Sequence, residues 1–360
     1  MHVLVTGGSG FIGSEIIRDL IDRPEVTSVV MLVRPKDGQS PEQRFEKIAN
    51  YWKRFGLGHL KGISKVKIVA SLPDPCSPEG IEISCVFHCA AITEFDQTIA
   101  QCRRANVFLT QDVCRWAGKL PALKRFVHFS TAFVSGTMKG IIPLDHRNDG
   151  FNNTYEQTKF ESERVVIWSG LPYTILRPTI VVGDSRTGYV YRMRVLYSVW
   201  RILLTGHLPR TPVDLRSGVD LVPVDYVVRA AIFLGASEAG LNRVFHLAAG
   251  RELVTPHQIL SIAHQIFQLP MPRIAPPFVA KILVMGWIQR FLPHELQQIV
   301  ERMRWHLPYL GTKGRIFDTS ATQAALQGSG IRAPEFKNFG PRLFEFCKKS
   351  NWGKVGYVLD

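Results

Sequence analysis

VLVTGGSGFIGSEIIRDL, residues 3–20, runs from an apolar β pattern straight into a helical one, with a glycine cluster at the join. Gly7 permits a tight turn, Gly10 lets the backbone approach a pyrophosphate, and Gly13 allows helix and strand to pack closely. The start of a helix adds free N–H groups and a positive dipole end for phosphate. Thr6, Gly7, Ser9, Gly10, Phe11, Ile12 and Gly13 therefore form a candidate nucleotide-binding turn, and strand–turn–helix is the context that mechanism requires.

Working outward, short apolar runs alternate with helical patterns through the first half, which implies βαβ units and a parallel sheet. Strands are expected at Val3–Thr6, Val29–Val33, Val66–Ala70, Cys85–Cys89, Arg125–Ser130 and Thr174–Arg177, with later ones at Val219–Val224 and Arg243–Leu247. Helices are expected at Ile12–Ile21, Pro41–Arg54, Ala105–Gly118 and Thr154–Ser169. The fold class is α/β: a doubly wound parallel Rossmann sheet with a smaller, mostly helical C-terminal part. Residues 1–183, with the strands near 219–247, make the dinucleotide-binding domain; residues 184–218 and 248–360 make a substrate-binding or lid region.

The end of the second strand bears on which dinucleotide binds. NAD binders usually place an acid there for the ribose hydroxyls. This chain reads VVMLVRPKDG, with Arg34 at that point, and a guanidinium can pair with a 2′-phosphate. NADP(H) is favoured over NAD; a surface arginine closing a strand is the alternative.

A second constellation lies downstream. RFVHFSTAFVSG, residues 125–136, is a strand pattern ending in Ser130 and Thr131, and NNTYEQTKFESERVV, residues 152–166, is a helix carrying Tyr155 and Lys159 one turn apart. A neighbouring ammonium favours tyrosinate, so the phenol could deliver a proton to a carbonyl oxygen as hydride reaches the carbon. Thr131 would hold the same oxygen, with Ser130 as the rival hydroxyl. Alternatively, the Tyr-x-x-x-Lys spacing is an accident of an ordinary amphipathic helix.

Taken together, TGGSGFIG, VFHCAA, ANVFLTQDV, FSTAFVSG, YEQTK, ILRPTIVVG and VDLVPVDYV, in that order over about the first 250 residues, resemble the extended branch of the short-chain dehydrogenase/reductase superfamily. The resemblance implies a catalytic hydroxyl at Thr131, an acid/base at Tyr155 and a lysine at Lys159 that also bonds the nicotinamide ribose. It implies that Cys89, Ala90 and Ala91 line the adenosine side and that Pro178, Thr179 and Ile180 meet the nicotinamide. YEQTKFESERVV, GLPYTILRPTIVVGDSRTG and LVRPKDGQSPEQRFEKI are similar to the thioester reductase and fatty acyl-CoA reductase group, the male sterility type of NAD-binding domain. That group has an arginine where Arg44 stands and uses NADPH. The chain departs from the pattern after the third strand, where VASLPDP lacks the usual Gly-Asp.

The resemblance implies an NADP-dependent oxidoreductase that reduces a carbonyl, first of all an acyl thioester on CoA or a carrier protein, to aldehyde or alcohol. A ketone or aldehyde reductase or hydroxysteroid-type dehydrogenase, a sugar-nucleotide epimerase or dehydratase, and a non-catalytic NADP-binding scaffold are the alternatives.

Composition narrows the partners. A hydrophobic content of 46% and a charged content of 21% suit a soluble protein with a sizeable core. The net charge of +14 suits anionic partners such as nucleotides, CoA-type thioesters or an acidic carrier protein. No zinc-finger spacing, aromatic RNA-binding run or arginine-rich arm supports nucleic acid. The six cysteines form no CxxC pair, and neither they nor the eleven histidines show metal-ligand spacing, so no metal is expected. His88 and His128 read as buried, satisfied strand residues. A start at HVLVTGG leaves no room for a signal peptide, and PPFVAKILVMGWIQRFLP, residues 276–293, is broken by Lys281 and Arg290, so a cytoplasmic location is expected. Two basic segments containing tryptophan, residues 191–210 and 281–310, suit amphipathic lid helices, a surface for an acyl substrate or carrier, or a membrane face.

Overall fold

A computed structural model describes residues 1–57, 60–77, 82–145, 150–191, 193, 195–204, 210–212, 217–269, 273–275, 297, 309 and 315–353. Thirteen strands are present among the described residues: β1 His2–Thr6, β2 Ser28–Leu32, β3 Val66–Val69, β4 Ile83–His88, β5 Arg125–Phe129, β6 Gly140–Ile142, β7 Tyr173–Pro178, β8 Ile180–Val182, β9 Arg210–Pro212, β10 Leu221–Pro223, β11 Arg243–Leu247, β12 Arg273–Ala275 and β13 Arg315–Phe317. Seven of them form one parallel sheet in the order β11-β7-β5-β4-β1-β2-β3, and the other six pair two by two, β10 with β8, β12 with β9 and β13 with β6.

β1 lies between β2 and β4, with Thr6 level with Leu32 on one side and His88 on the other. The connection after β1 runs one way and the chain later returns on the opposite side, so a crevice opens at the carboxyl ends of β1 and β4. Alternation along β1 divides its fully buried side chains between the two faces. Val3 and Val5 pack with Ile16, Ile17 and Leu20 of the helix Phe11–Ile21, whereas Leu4 packs with Val86, Phe126 and Ile175 and with Val113 and Val166 from helices on the other face. Burial on both faces explains the nearly continuous apolar strands that the sequence displays.

The structure extends the sequence reading in two places. The last strand expected before residue 225 is short: β10 ends at Pro223, and Val224–Ala236 is a helix that packs along the sheet. The helix expected from Ala105 begins earlier, at Ile99, where Thr98 and Gln101 form a reciprocal cap, and continues through a π-helical turn at Arg103–Phe108 into Leu109–Ala117. Of the two basic segments, the first holds the helix Val195–Leu204, while 281–310 lies outside the described residues except for Gln297 and Tyr309.

Candidate active site

At the end of β1 the chain turns through Gly7 at φ +68°, a region that favours glycine. A Cβ there would come within 2.6 Å of the Ala90 backbone nitrogen, so the loop after β4 seals against this turn only because no side chain intervenes. A Cβ on Gly13 would strike the Gly7 carbonyl, so the first helical turn can lie directly on the turn. Gly10 donates to the Gly7 carbonyl at 2.9 Å and starts the helix Phe11–Ile21, leaving Phe11, Ile12 and Gly13 in its first turn. The result is the open helix N-terminus that a pyrophosphate needs.

The helix Pro41–Arg54 is fixed at its start by a reciprocal cap between Ser40 and Gln43 and by Pro41. That places Arg44 in its first turns, where the guanidinium donates to Ser9 Oγ at 2.7 Å and to the Arg34 carbonyl at 2.6 Å. Arg34 is exposed. Ser9, Arg34 and Arg44, read separately in the sequence, therefore meet at one edge of the turn.

Beneath the turn, Thr6 and His88 bond through Oγ1 and Nδ1 at 2.7 Å, and His88 Nε2 reaches Thr110 Oγ1 at 2.9 Å. Thr110 gives its proton to the Asn106 carbonyl (2.6 Å), so it must accept from His88 Nε2–H; Nδ1 then accepts from Thr6. Burial, then the nearby Lys159 charge, push His88 down to about 3, so it stays neutral. In the π-helical turn, Asn106 accepts from Ile92 N (2.7 Å) and donates to Ile92 O (3.1 Å) and Thr158 Oγ1 (3.0 Å). It thereby ties the loop that carries Cys89, Ala90 and Ala91 to the helix that carries Tyr155.

That helix, Thr154–Trp168, is capped by Asn153, which accepts from Glu156 N at 3.0 Å. Its buried residues are Glu156, Thr158, Lys159, Ser162, Glu163 and Val166. An ordinary amphipathic helix buries an apolar stripe; this one buries a polar stripe that includes two carboxylates and an amine. Lys159 is 2% exposed, with Nζ 3.3 Å from His128 Nε2 of β5. Burial pulls Lys159 down to about 8, partly opposed by Glu163 and Cys89. Arg177 of β7 holds Glu163 with two bonds, at 2.9 and 2.7 Å.

Thr131 follows β5 and is buried. Its hydroxyl accepts from Phe133 N (3.3 Å) and lies 3.5 Å from the Pro178 carbonyl at the end of β7. Ser130, also buried, has no hydrogen-bond partner for its Oγ among the described residues. Thr179 donates to Asp220 at 2.6 Å, and Asp220 also accepts from Ala249 N and Gly250 N. The Pro178–Ile180 bend is thus pinned to the segment beyond β11.

Tyr155 is half-buried, its ring 5.6 Å from Phe95, which in turn stacks on Tyr309 at 5.1 Å. Sequence reasoning missed Tyr309 and Glu156. The Tyr309 hydroxyl donates to the buried Glu156 carboxylate and accepts from Asn153 Nδ2 at 2.7 Å. Asn152 N also donates to Glu156, at 2.7 Å. Burial raises Glu156, against the opposing pull of Tyr309, Asn152 and Arg315. One local signal existed for Glu156: it stands three residues after an asparagine at a helix start. None existed for Tyr309, which is 153 residues away. Among the described residues no group of His, Cys, Asp and Glu could hold a metal ion, and no helix is long and apolar enough to cross a membrane.

The chain is similar to known proteins in sequence and in fold. Fatty acyl-CoA reductase 1 of Gallus gallus is 29% identical over 286 residues, 67% of this chain and 55% of that protein. The nonribosomal peptide synthetase asaC of Aspergillus flavus is 29% identical over 274 residues, 68% of this chain and 26% of that protein. The chain thus spans about half the length of the reductase and about a quarter of the synthetase. In three dimensions it is similar to the terminal R domain from the myxalamid PKS-NRPS pathway, with a TM-score of 0.81 at 22% identity over 98% of this chain and 92% of that one. The male sterility protein model of NAD-binding domains matches residues 5–71 and 79–231, more than half of the sequence, and the chain belongs to that family.

Proposed function

We propose that the chain is an NADPH-dependent reductase of acyl thioesters, taking an acyl group from CoA or a carrier protein to the aldehyde or the alcohol. The observation that carries this reading is Lys159, buried at the carboxyl ends of the strands and one helical turn from Tyr155. The names of the relatives, a fatty acyl-CoA reductase and a multidomain peptide synthetase, support a thioester as substrate.

The residues present fit a phosphorylated dinucleotide. Gly7, Gly10 and Gly13 leave room for a pyrophosphate at the helix start, and the Arg44 guanidinium, bonded to Ser9 and to the carbonyl of the exposed Arg34, stands at the edge where a 2′-phosphate would lie. Cys89, Ala90 and Ala91 would line the adenosine side, and Pro178, Thr179 and Ile180 the nicotinamide side. When bound, the cofactor supplies hydride to the carbonyl carbon. Thr131 and Tyr155 hold the carbonyl oxygen as negative charge develops on it. The Lys159 ammonium lowers the cost of tyrosinate, so Tyr155 gives up its proton to an alkoxide readily. For a thioester the tetrahedral adduct expels a thiolate, a good leaving group that needs little acid assistance. For an aldehyde the alkoxide takes the Tyr155 proton.

Residues 1–183, with the strands near 219–247, hold the cofactor in this reading, and 184–218 with 248–360 cover the substrate. The net charge of +14 suits an acidic carrier. A sugar-nucleotide epimerase would call for an acid where Arg34 stands, and a pure NADP-binding scaffold would have no use for a buried lysine beside a tyrosine. A ketone reductase shares the machinery and differs in outcome. Incubation with NADPH and acyl-CoAs, aldehydes or ketones, following NADPH loss and thiol release together, separates the two. Turnover of ketones without thiol release from any acyl-CoA would overturn the thioester reading.

A further inference from the structure

The two histidines under the site are not equivalent. His88 of β4 and His128 of β5 are level with each other in the sheet, stack at 5.4 Å between ring centroids, and are both fully buried. His88 has a hydroxyl on each nitrogen, which fixes its tautomer and makes it a structural tie. His128 differs. Its Nδ1 has no hydrogen-bond partner among the described residues, while its Nε2 lies 3.3 Å from Lys159 Nζ and 3.1 Å from Ser162 Oγ.

Ser162 spends its proton inside the helix, donating to the Lys159 carbonyl at 2.8 Å. It therefore has none to offer Nε2. A proton on Nε2 could be taken by Ser162 Oγ, as Thr110 takes that of His88, but it would set donor against donor at the Lys159 ammonium and leave that buried cation with no hydrogen-bond partner among the described residues. A proton on Nδ1 leaves Nε2 as an acceptor for Nζ, at the cost of an unbonded N–H. A buried polar atom left unsatisfied in this way calls for a functional reason, and the ammonium supplies one. Among the described residues His128 is the only hydrogen-bond partner of Nζ.

We infer that His128 is the positioning residue of Lys159: its neutral imidazole, protonated on Nδ1, accepts from the ammonium and holds it charged and oriented in its buried position. This inference rests on the assignment of Lys159 to the hydride-transfer machinery. The other ionisable groups near Lys159 are Glu163 and Tyr155 on its own helix, His88 of β4 and Cys89 just after it. Glu163 is engaged by Arg177. Burial and the Lys159 charge hold His128 well below the usual imidazole range, so it remains an acceptor through the working pH range.

The test reads Lys159 directly, without substrate. In protein labelled with carbon-13 at lysine Cε, the Lys159 resonance is assigned by its loss in Lys159→Arg and titrated against pH. His128→Phe keeps a ring against His88 and removes the acceptor; the Lys159 midpoint is expected to fall by about one unit, about tenfold in the ionisation constant. His128→Gln, which restores an acceptor, should return the midpoint toward wild type, and the alkaline limb of kcat should follow the same order. If His128→Phe does not fold, His128→Gln against His128→Leu gives the same comparison. A midpoint unmoved in the acceptor-free variant overturns the inference. If instead Lys159→Ala retains full turnover, the reading of the site fails on its own account, whatever His128 does.

Discussion

Arg44 reaches from the first turns of the helix Pro41–Arg54 to Ser9 Oγ at 2.7 Å, joining the glycine turn to the end of the second strand through a single guanidinium. Its other arm takes the Arg34 carbonyl. If this corner receives the 2′-phosphate, Arg34→Ala and Arg44→Ala should each weaken NADPH binding about tenfold to a hundredfold while changing NADH binding far less. Fluorescence titration with both cofactors measures this. An unchanged NADPH-to-NADH ratio in both variants would show that the 2′-phosphate lies elsewhere.

Tyr155→Phe removes one hydroxyl from a half-buried ring beside Phe95. Aldehyde turnover is expected to drop by about 100-fold to 10,000-fold, with NADPH affinity nearly intact. The first reduction of a thioester should suffer less, because its thiolate leaves without the phenol's proton. Full aldehyde activity in the variant would remove Tyr155 from the mechanism.

The pH dependence follows from Lys159. The cation is the form that favours tyrosinate, and burial has lowered its pKa to about 8. Below that value Lys159 is charged; turnover should therefore decline as pH rises through about 8. A kcat profile at saturating NADPH and aldehyde checks this, and a plateau up to pH of about 10, the ordinary lysine range, would contradict it.

Asp220 accepts from Thr179, Ala249 and Gly250 in a fully buried position, and burial pushes it up to about 6. Because the folded value exceeds the unfolded one, near 4, its bound proton stabilises the fold most at low pH, and that contribution is lost as pH rises through about 6. Asp220→Asn should cost roughly 1–3 kcal/mol, with the loss largest near pH of about 4 and smaller above about 6. Denaturant melts at both ends of the range decide it, and a cost independent of pH would be the wrong result.

Tyr309→Phe deletes the hydroxyl that donates to the buried Glu156 carboxylate. Asn152 still donates to Glu156, so the expected cost is about 1–2 kcal/mol with the fold intact. A melting temperature equal to wild type would mean that Tyr309 does not brace the helix Thr154–Trp168.

The sheet was legible because strands buried on both faces advertise themselves as apolar runs, and the glycine turn because its geometry tolerates so few residues. The helix Val224–Ala236 was hidden by VPVDYVV, which reads as β-branched strand until the buried alanines Ala230 and Ala231 continue it. The early start at Ile99 was readable in principle, since Thr98 and Gln101 have the spacing of a reciprocal cap. Thr131, Tyr155 and Lys159 could be proposed as site residues from spacing together with the family resemblance. The bonds that hold them could not. Lys159 with His128, Asn106 with Ile92 and Thr158, and Tyr309 with Glu156 join residues far apart in the chain, and no local pattern encodes such pairs. The buried polar stripe on the helix Thr154–Trp168 is the clearest case: its sequence looks like a solvated face, and only packing against β5 and β7 shows why Glu163 and Lys159 lie inside.

A thioester reductase releases a thiol as it oxidises NADPH, so free thiol is counted against NADPH consumed when the protein is given NADPH and a long-chain acyl-CoA. One thiol released for each NADPH, or for each pair if the aldehyde is carried on to alcohol, is the predicted result. NADPH bound tightly but neither consumed nor accompanied by thiol release, with ketones reduced under the same conditions, would contradict it.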